Sequence, residues 1–110
     1  MYFHTVNEIK QIARDCGNHF FDADAMRYFS SRVGSKVYGG KYFITSEQFV
    51  TYYPEYRREP RKYTIRAVIY HDGRFGIEDI GEFQQYETRE AAAKVAERLG
   101  AHRMLELATV

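Results

Sequence analysis

The densest chemistry in this chain lies in Arg57-Arg58-Glu59-Pro60-Arg61-Lys62-Tyr63, with Tyr52, Tyr53 and Tyr56 just before it and Arg66 just after. Arginine and lysine neutralise phosphates and release the counterions condensed on a nucleic acid. Tyrosine rings stack on unpaired bases. Cations interleaved with aromatics therefore suit an anionic partner, either a nucleic acid or an acidic protein surface. Arg57, Arg58, Arg61, Lys62 and Arg66 would supply charge, and Tyr56 and Tyr63 would supply stacking. Pro60 favours an extended presentation. The plainer reading is a solvated strand edge whose charges and proline keep it from pairing with other chains.

A second basic group, Arg27, Arg32, Lys36 and Lys41, has no acid between residues 25 and 45 to offset it. Packing the two groups side by side would make one basic face. Across residues 25–66 there are nine bases and three acids, together with seven of the ten tyrosines. Residues 67–97 reverse the sign, with seven acids and three bases, so the net charge of +1 conceals a strong segregation. Such a dipolar distribution steers association with charged partners.

Other constellations carry less. Cys16-x-x-His19, with His4 and Asp22 nearby, lacks the paired spacings of a structural zinc site. Cys16 is expected to be a small buried residue on an apolar helix face. Glu78, Asp79 and Glu82 fall on a strand pattern, where adjacent side chains point to opposite faces and do not converge on a cation. Gly39-Gly40 lies between two strand signals, not in the strand-to-helix setting of a phosphate-binding loop. No catalytic residue, metal ligand or cofactor is expected, and the chain reads as a non-enzymatic protein.

The elements that must position these residues follow from periodicity and caps. Thr5-x-x-Glu8 has capping-box spacing. Val6, Ile9, Ile12, Ala13 and Cys16 then recur on one helical face up to Gly17. A short second helix begins after Asp22, carries Met26, Phe29 and Val33 on one face with Arg27 and Arg32 opposite, and ends at Gly34. Val37-Tyr38 and Tyr42-Phe43-Ile44 flank Gly39-Gly40 as a hairpin. Residues 45–49 begin a short helical turn, and residues 50–60 form a loop bounded by Pro54 and Pro60. Residues 63–70 and 75–83 read as strands around His71-Asp72-Gly73, with Gly76 and Gly81 as bulge positions. Thr88 caps a last helix carrying Ala92, Val95, Ala96 and Leu99, which Gly100 ends.

Met104, Leu105, Leu107 and Ala108 leave that stripe. Residues 101–110, ending at Val110, are expected to be a tail that docks on the sheet or on a second copy; in the latter case 104–110 would carry a homodimer. The expected architecture is a single α+β domain over residues 1–110. Its order is α-α-β-β-β-β-α, with about four antiparallel strands packed by two to three helices on one face.

Composition agrees with a sheet-containing fold. Aromatic residues make up 16% of the chain while leucine occurs only at 99, 105 and 107, which favours Tyr-, Phe- and Ile-rich strands. One cysteine excludes an internal disulfide and fits a reducing compartment. No apolar run is long enough to span a membrane, and the first residues lack a secretory pattern. Cytoplasmic action is therefore expected.

The segments His19-Phe20-Phe21, Met26-Arg27-Tyr28-Phe29, Ser31-Arg32 and Val37-Tyr38-Gly39-Gly40 come in a distinctive order. Tyr42-Phe43-Ile44-Thr45-Ser46-Glu47-Gln48-Phe49, Arg61-Lys62-Tyr63-Thr64-Ile65-Arg66, Ile80-Gly81-Glu82-Phe83-Gln84 and Thr88-Arg89 follow. Together they resemble small uncharacterised proteins carried by bacteriophages and prophages. That resemblance covers most of the chain but not the tail after Gly100. It implies a mobile-element origin and action in the cytoplasm of an infected bacterium, and it brings no catalytic residues.

Two functions are expected. In the first, the protein binds nucleic acid or a host nucleoprotein complex through its basic, tyrosine-rich surface. In the second it is a protein-directed inhibitor of a host defence system, anti-CRISPR-like, that acts by stoichiometric binding with charge complementarity to its target.

Overall fold

The computed structural model describes residues 1–109. Helix α1 spans Val6–Asp15, and Thr5 caps it by accepting the Glu8 N–H at 3.2 Å. The Glu8 carboxylate reaches one residue further back than a strict capping box and accepts the His4 N–H at 3.0 Å. Val6, Ile9 and Ala13 are buried, and Gly17 takes a left-handed φ of +71° just beyond the helix. Cys16 is the C-cap and is exposed, contrary to its expected burial. Cys16 lies just past Asp15, the last helical residue, and outside the core cluster that buries Val6 and Ile9.

Helix α2, Ala23–Tyr28, is shorter than its pattern suggests. Ser30 takes a φ of +49° after it, and Arg32–Val33 then form strand β1. Val33 and Arg32 are thus strand neighbours on opposite faces, not members of a helix. Strand β2 spans Tyr42–Glu47, so the expected helical turn at 45–49 is instead the end of a strand. Thr45-Ser46-Glu47 stays extended because each residue pairs with β5, Lys62–His71, in the register Thr45↔Thr64, Ser46↔Tyr63 and Glu47↔Lys62. Between β2 and β5, β3 (Val50–Thr51) and β4 (Arg57–Arg58) form a separate small hairpin where a loop was expected.

Strand β6, Arg74–Ile80, returns from β5 through Asp72-Gly73, both at positive φ as a tight two-residue turn requires. Gly76 pairs in register with Ile69, so no bulge forms there. The main sheet is antiparallel in the order β1-β2-β5-β6. Gly39-Gly40 makes its expected turn, closed by a single bridge between Tyr38 and Tyr42. The α+β architecture and the order of its main elements are as expected.

Helices cover both faces of the sheet, not one. Period-2 alternation along β2 sends Phe43 to one side and Ile44 to the other. Phe43 and Val68 pack with Phe3, Val6 and Ile9 of the α1 region, backed by Phe20 and Phe21. Ile44 and Ile65 pack with Ala92 and Ala96 of helix α3, Arg89–Ala108.

α3 also runs through Gly100, the residue expected to end it. Ala92, Ala96 and Gly100 are its buried residues, and their small size lets the helix lie close on the sheet. A Cβ built at Gly100 would lie 2.8 Å from the Gly39 nitrogen, so this glycine is a point of backbone contact. Arg103 then donates to the carbonyls of Gly39 and Met1. Met104, Leu105 and Leu107 are exposed on the continuing helix, which does not fold back onto the sheet. Val110, the end of the expected tail, lies outside the described residues. No helix of the described residues is long and apolar enough to cross a membrane.

Candidate functional site

The β3–β4 hairpin extends the chain beyond the Glu47 end of β2. Its base is tied down on both strands. The Gln48 N–H donates to the Phe29 carbonyl at 2.9 Å, Glu59 N–H to the Phe49 carbonyl at 2.9 Å, and the Gln48 side chain to the Glu59 carbonyl at 3.0 Å. Phe49 packs edge-on against Phe29, with ring centroids 5.1 Å apart, and also meets Phe83. Such anchoring matters because an isolated two-stranded hairpin is marginal in water.

Beyond that base the hairpin buries little. Tyr52, Tyr53 and Tyr56 are 76%, 87% and 60% exposed. The rings of Tyr52 and Tyr56 pack at 5.7 Å, and Arg58 Nε donates to the Tyr56 hydroxyl at 3.0 Å. This hydrogen bond raises the Arg58 pKa, so the guanidinium is firmly charged. Arg57 is exposed and meets Glu59 at 3.2 Å, a solvated pair of small energetic weight. Nearby, Tyr28 is 79% exposed and packs edge-on against Phe29. Two arginines and three tyrosines therefore share one projecting element.

The other sequence candidates do not join them. Arg66 is half-buried at the centre of the sheet, opposed to the buried Glu47 at 3.5 Å and paired with Asp79. It also donates to the Thr45 hydroxyl at 2.9 Å, and its guanidinium lies between the rings of Phe20 and Phe83, 5.2 and 5.5 Å from their centroids. Arg61 spends its donors on the Ser30 carbonyl and on the carbonyl and hydroxyl of Ser46. Its pKa is pushed down first by burial and then by the charge of Arg32. Tyr63 packs beside Ile65 in the α3-facing core and bridges to Tyr86. These three hold the fold together and present nothing to a partner on the hairpin.

Lys62 is half-buried in a cleft that Glu59 and Glu87 also line. Lys41 sits in the turn at the opposite end of β2, with its ammonium 5.6 Å from the Tyr42 ring centroid. Arg27 rides on α2 and meets Asp24 at 3.6 Å. Arg32 and Lys36 open on the α3-covered side of the sheet, whereas α2 lies over the side that carries Arg66. Each basic stretch is thus divided between the two sides of the sheet, with Arg61 near Arg32 on one side and Arg66 beneath α2 on the other, and the two do not merge into one continuous face.

Two charged residues were missed in the sequence. Glu47 is fully buried and accepts from the Thr64 hydroxyl at 2.7 Å, while its second carboxylate oxygen has no hydrogen-bond partner. Its signal was the alternation Phe43, Thr45, Glu47, which continues the strand. Arg89 lies in the chain's acidic half yet opens into the same groove as Arg32 and Lys36. Its signal was a cation placed just after the Thr88 cap, where the helix dipole disfavours it. Among the described residues, no three His, Cys, Asp or Glu side chains gather to hold a metal ion.

Residues 5–97 match the model of a family of unknown function (DUF7447), and the chain belongs to that family. No curated protein and no solved structure matches it.

Proposed function

We propose that this chain is a non-enzymatic binding protein whose β3–β4 hairpin engages single-stranded nucleic acid, free or within a host nucleoprotein complex. The observation that carries this reading is the hairpin itself: Tyr52, Tyr53 and Tyr56 stand in solvent beside Arg57 and Arg58. Rings left in water forgo the burial that stabilises a core, and stacking on a base recovers about 1–3 kcal/mol each. Each arginine placed on a phosphate adds a salt-dependent contribution. On the resemblance to phage- and prophage-borne proteins, this activity would belong to the cytoplasm of an infected bacterium.

Fluorescence anisotropy with labelled single- and double-stranded DNA and RNA at two salt concentrations tests the reading. The expected result is binding that prefers single strands and weakens with salt. In Arg57→Glu/Arg58→Glu the slope of log K against log salt should shrink by about 1.4, the share of two phosphate contacts. Binding that is unchanged in this variant would sink the hairpin as the site.

The same cluster favours the second reading, a protein-directed inhibitor of the anti-CRISPR type, because tyrosine and arginine dominate the energetics of protein interfaces. No binding to any of the four probes, together with capture of a bacterial protein that Arg57→Glu/Arg58→Glu abolishes, would favour it.

A further inference from the structure

A groove of about 330 Å³ opens on the α3-covered side of the sheet and is lined by no residue of the hairpin. β1 and the strap at residues 34–36 form one wall, and the first turn of α3 forms the other. Arg32 and Lys36 come from the first wall and Arg89 from the second, over a floor that includes Ser46 and Tyr63, with Tyr38 alongside. No carboxylate lines it. Among the described residues, the ion pairs made by Arg27, Arg57 and Arg66 have no counterpart at Arg32, Lys36 or Arg89. Three cations from separate elements thus converge with their charge unmet.

Their surroundings are built. The Lys36 ammonium lies 4.9 Å from the centroid of the Tyr38 ring. Ser46 is 5% exposed, and its hydroxyl accepts an N–H from Arg61 at 3.0 Å. Its own proton is therefore available to a ligand oxygen. Arg61 stands close enough for the charge of Arg32 to depress its pKa, after burial has done so. An anion between these groups would relieve that repulsion. The Tyr38 pKa is raised, first by burial and then by Glu97, against the opposite pull of Arg89, so its hydroxyl keeps its proton at neutral pH.

We infer that this groove binds a small phosphate monoester, with Arg32, Lys36 and Arg89 around the phosphate and the Ser46 hydroxyl donating to it. A phosphate monoester carries up to two charges and three acceptor oxygens, which matches three cations and a hydroxyl better than a carboxylate does. The volume lies at the small end of ligand pockets, which run from about 300 Å³ upward. Tyr38 and Tyr63 would meet whatever group the phosphate carries. The site is independent of the hairpin and shares no residue with it.

Isothermal titration calorimetry with inorganic phosphate, adenosine monophosphate and adenosine tests this in the wild type, Arg32→Gln and Arg89→Glu. Saturable binding of phosphate or the monophosphate is expected, with each substitution weakening it about tenfold or more, as for loss of a charge-assisted contact. Equal affinity for both would mean that the phosphate alone is read. Tighter binding of the monophosphate would add contacts to its nucleoside. Either result supports the site. Thermal melting of Arg89→Glu should be no lower than wild type, because an acid suits the first turn of a helix. The proposal falls if neither anion binds at millimolar concentration, if adenosine binds as well as its monophosphate, or if Arg89→Glu binds unchanged. Arg57→Glu/Arg58→Glu should leave monophosphate binding intact, so failure of the hairpin reading and failure of this one give different results.

Discussion

Two arginines of similar sequence setting have opposite roles. Arg58 is exposed on the hairpin, so its charge is free to meet a partner. The Arg66 side chain is 12% exposed and faces a Glu47 side chain that is 1% exposed. Removing one partner of a buried pair leaves the other desolvated and uncompensated, at a cost of about 3–5 kcal/mol. Arg66→Ala should therefore lower the urea midpoint sharply, whereas Arg57→Glu/Arg58→Glu should change stability by no more than about 0.5 kcal/mol. The joint change Arg66→Met/Glu47→Gln should recover much of the loss, because replacing both charges removes the orphan. Equal stability of Arg66→Ala and wild type would show that the pair contributes nothing.

At the scale of elements, α3 is governed by how closely it can approach the sheet. Ala92, Ala96 and Gly100 form its buried seam. In isolation, glycine to alanine in a helix stabilises by about 1 kcal/mol. Here a Cβ at Gly100 would lie 2.8 Å from the Gly39 nitrogen and 3.0 Å from the Tyr38 carbonyl carbon. Gly39 holds a φ of +58° and cannot move aside cheaply. Overpacking of this kind costs about 1–3 kcal/mol, so Gly100→Ala should lower the melting temperature despite its better helix propensity. A rise in melting temperature would mean that the helix shifts freely on the Gly39-Gly40 turn. The helix stop read at Gly100 failed for this reason: glycine marks both helix ends and close contacts, and only the packing partner distinguishes them.

The whole molecule is elongated, with principal extents of 56 × 31 × 19 Å. Beyond Arg103, α3 carries Met104, Leu105 and Leu107 at 45%, 67% and 45% exposure. Self-association through this segment, the homodimer expected as one of two roles for the tail, predicts a particle of twice the 13.0 kDa chain mass. Multi-angle light scattering should show Leu105→Glu/Leu107→Glu returning to the single-chain mass. A full-length protein that is already monomeric would remove the idea. The hairpin and the groove beside α3 share no residue, so the proposed nucleic-acid binding and the proposed small-anion binding should be lost one at a time.

Patterns local in sequence were legible from the residues alone. The Thr5 and Thr88 caps, the paired strands either side of Asp72-Gly73, the Gly39-Gly40 turn and the α+β class all depend on contacts between near neighbours or on simple periodicity. What depended on distant partners was not legible. Thr45-Ser46-Glu47 is extended only because β5 pairs with it, and Val33 is a strand residue only because Thr45 lies opposite. Charge was the most misleading signal. Composition places Arg57, Arg58, Arg61 and Arg66 in one basic run, yet the strand register turns Arg66 inward to Glu47 and Asp79, while Ser30 and Ser46 occupy Arg61. The packing of α3 on the sheet brings Arg89, from the acidic half, into the groove that Arg32 and Lys36 line. Periodicity records which residue types follow one another. Which charges are neutralised, and which remain free for a partner, is settled by atoms brought together across the sheet, and only the tertiary structure decided that.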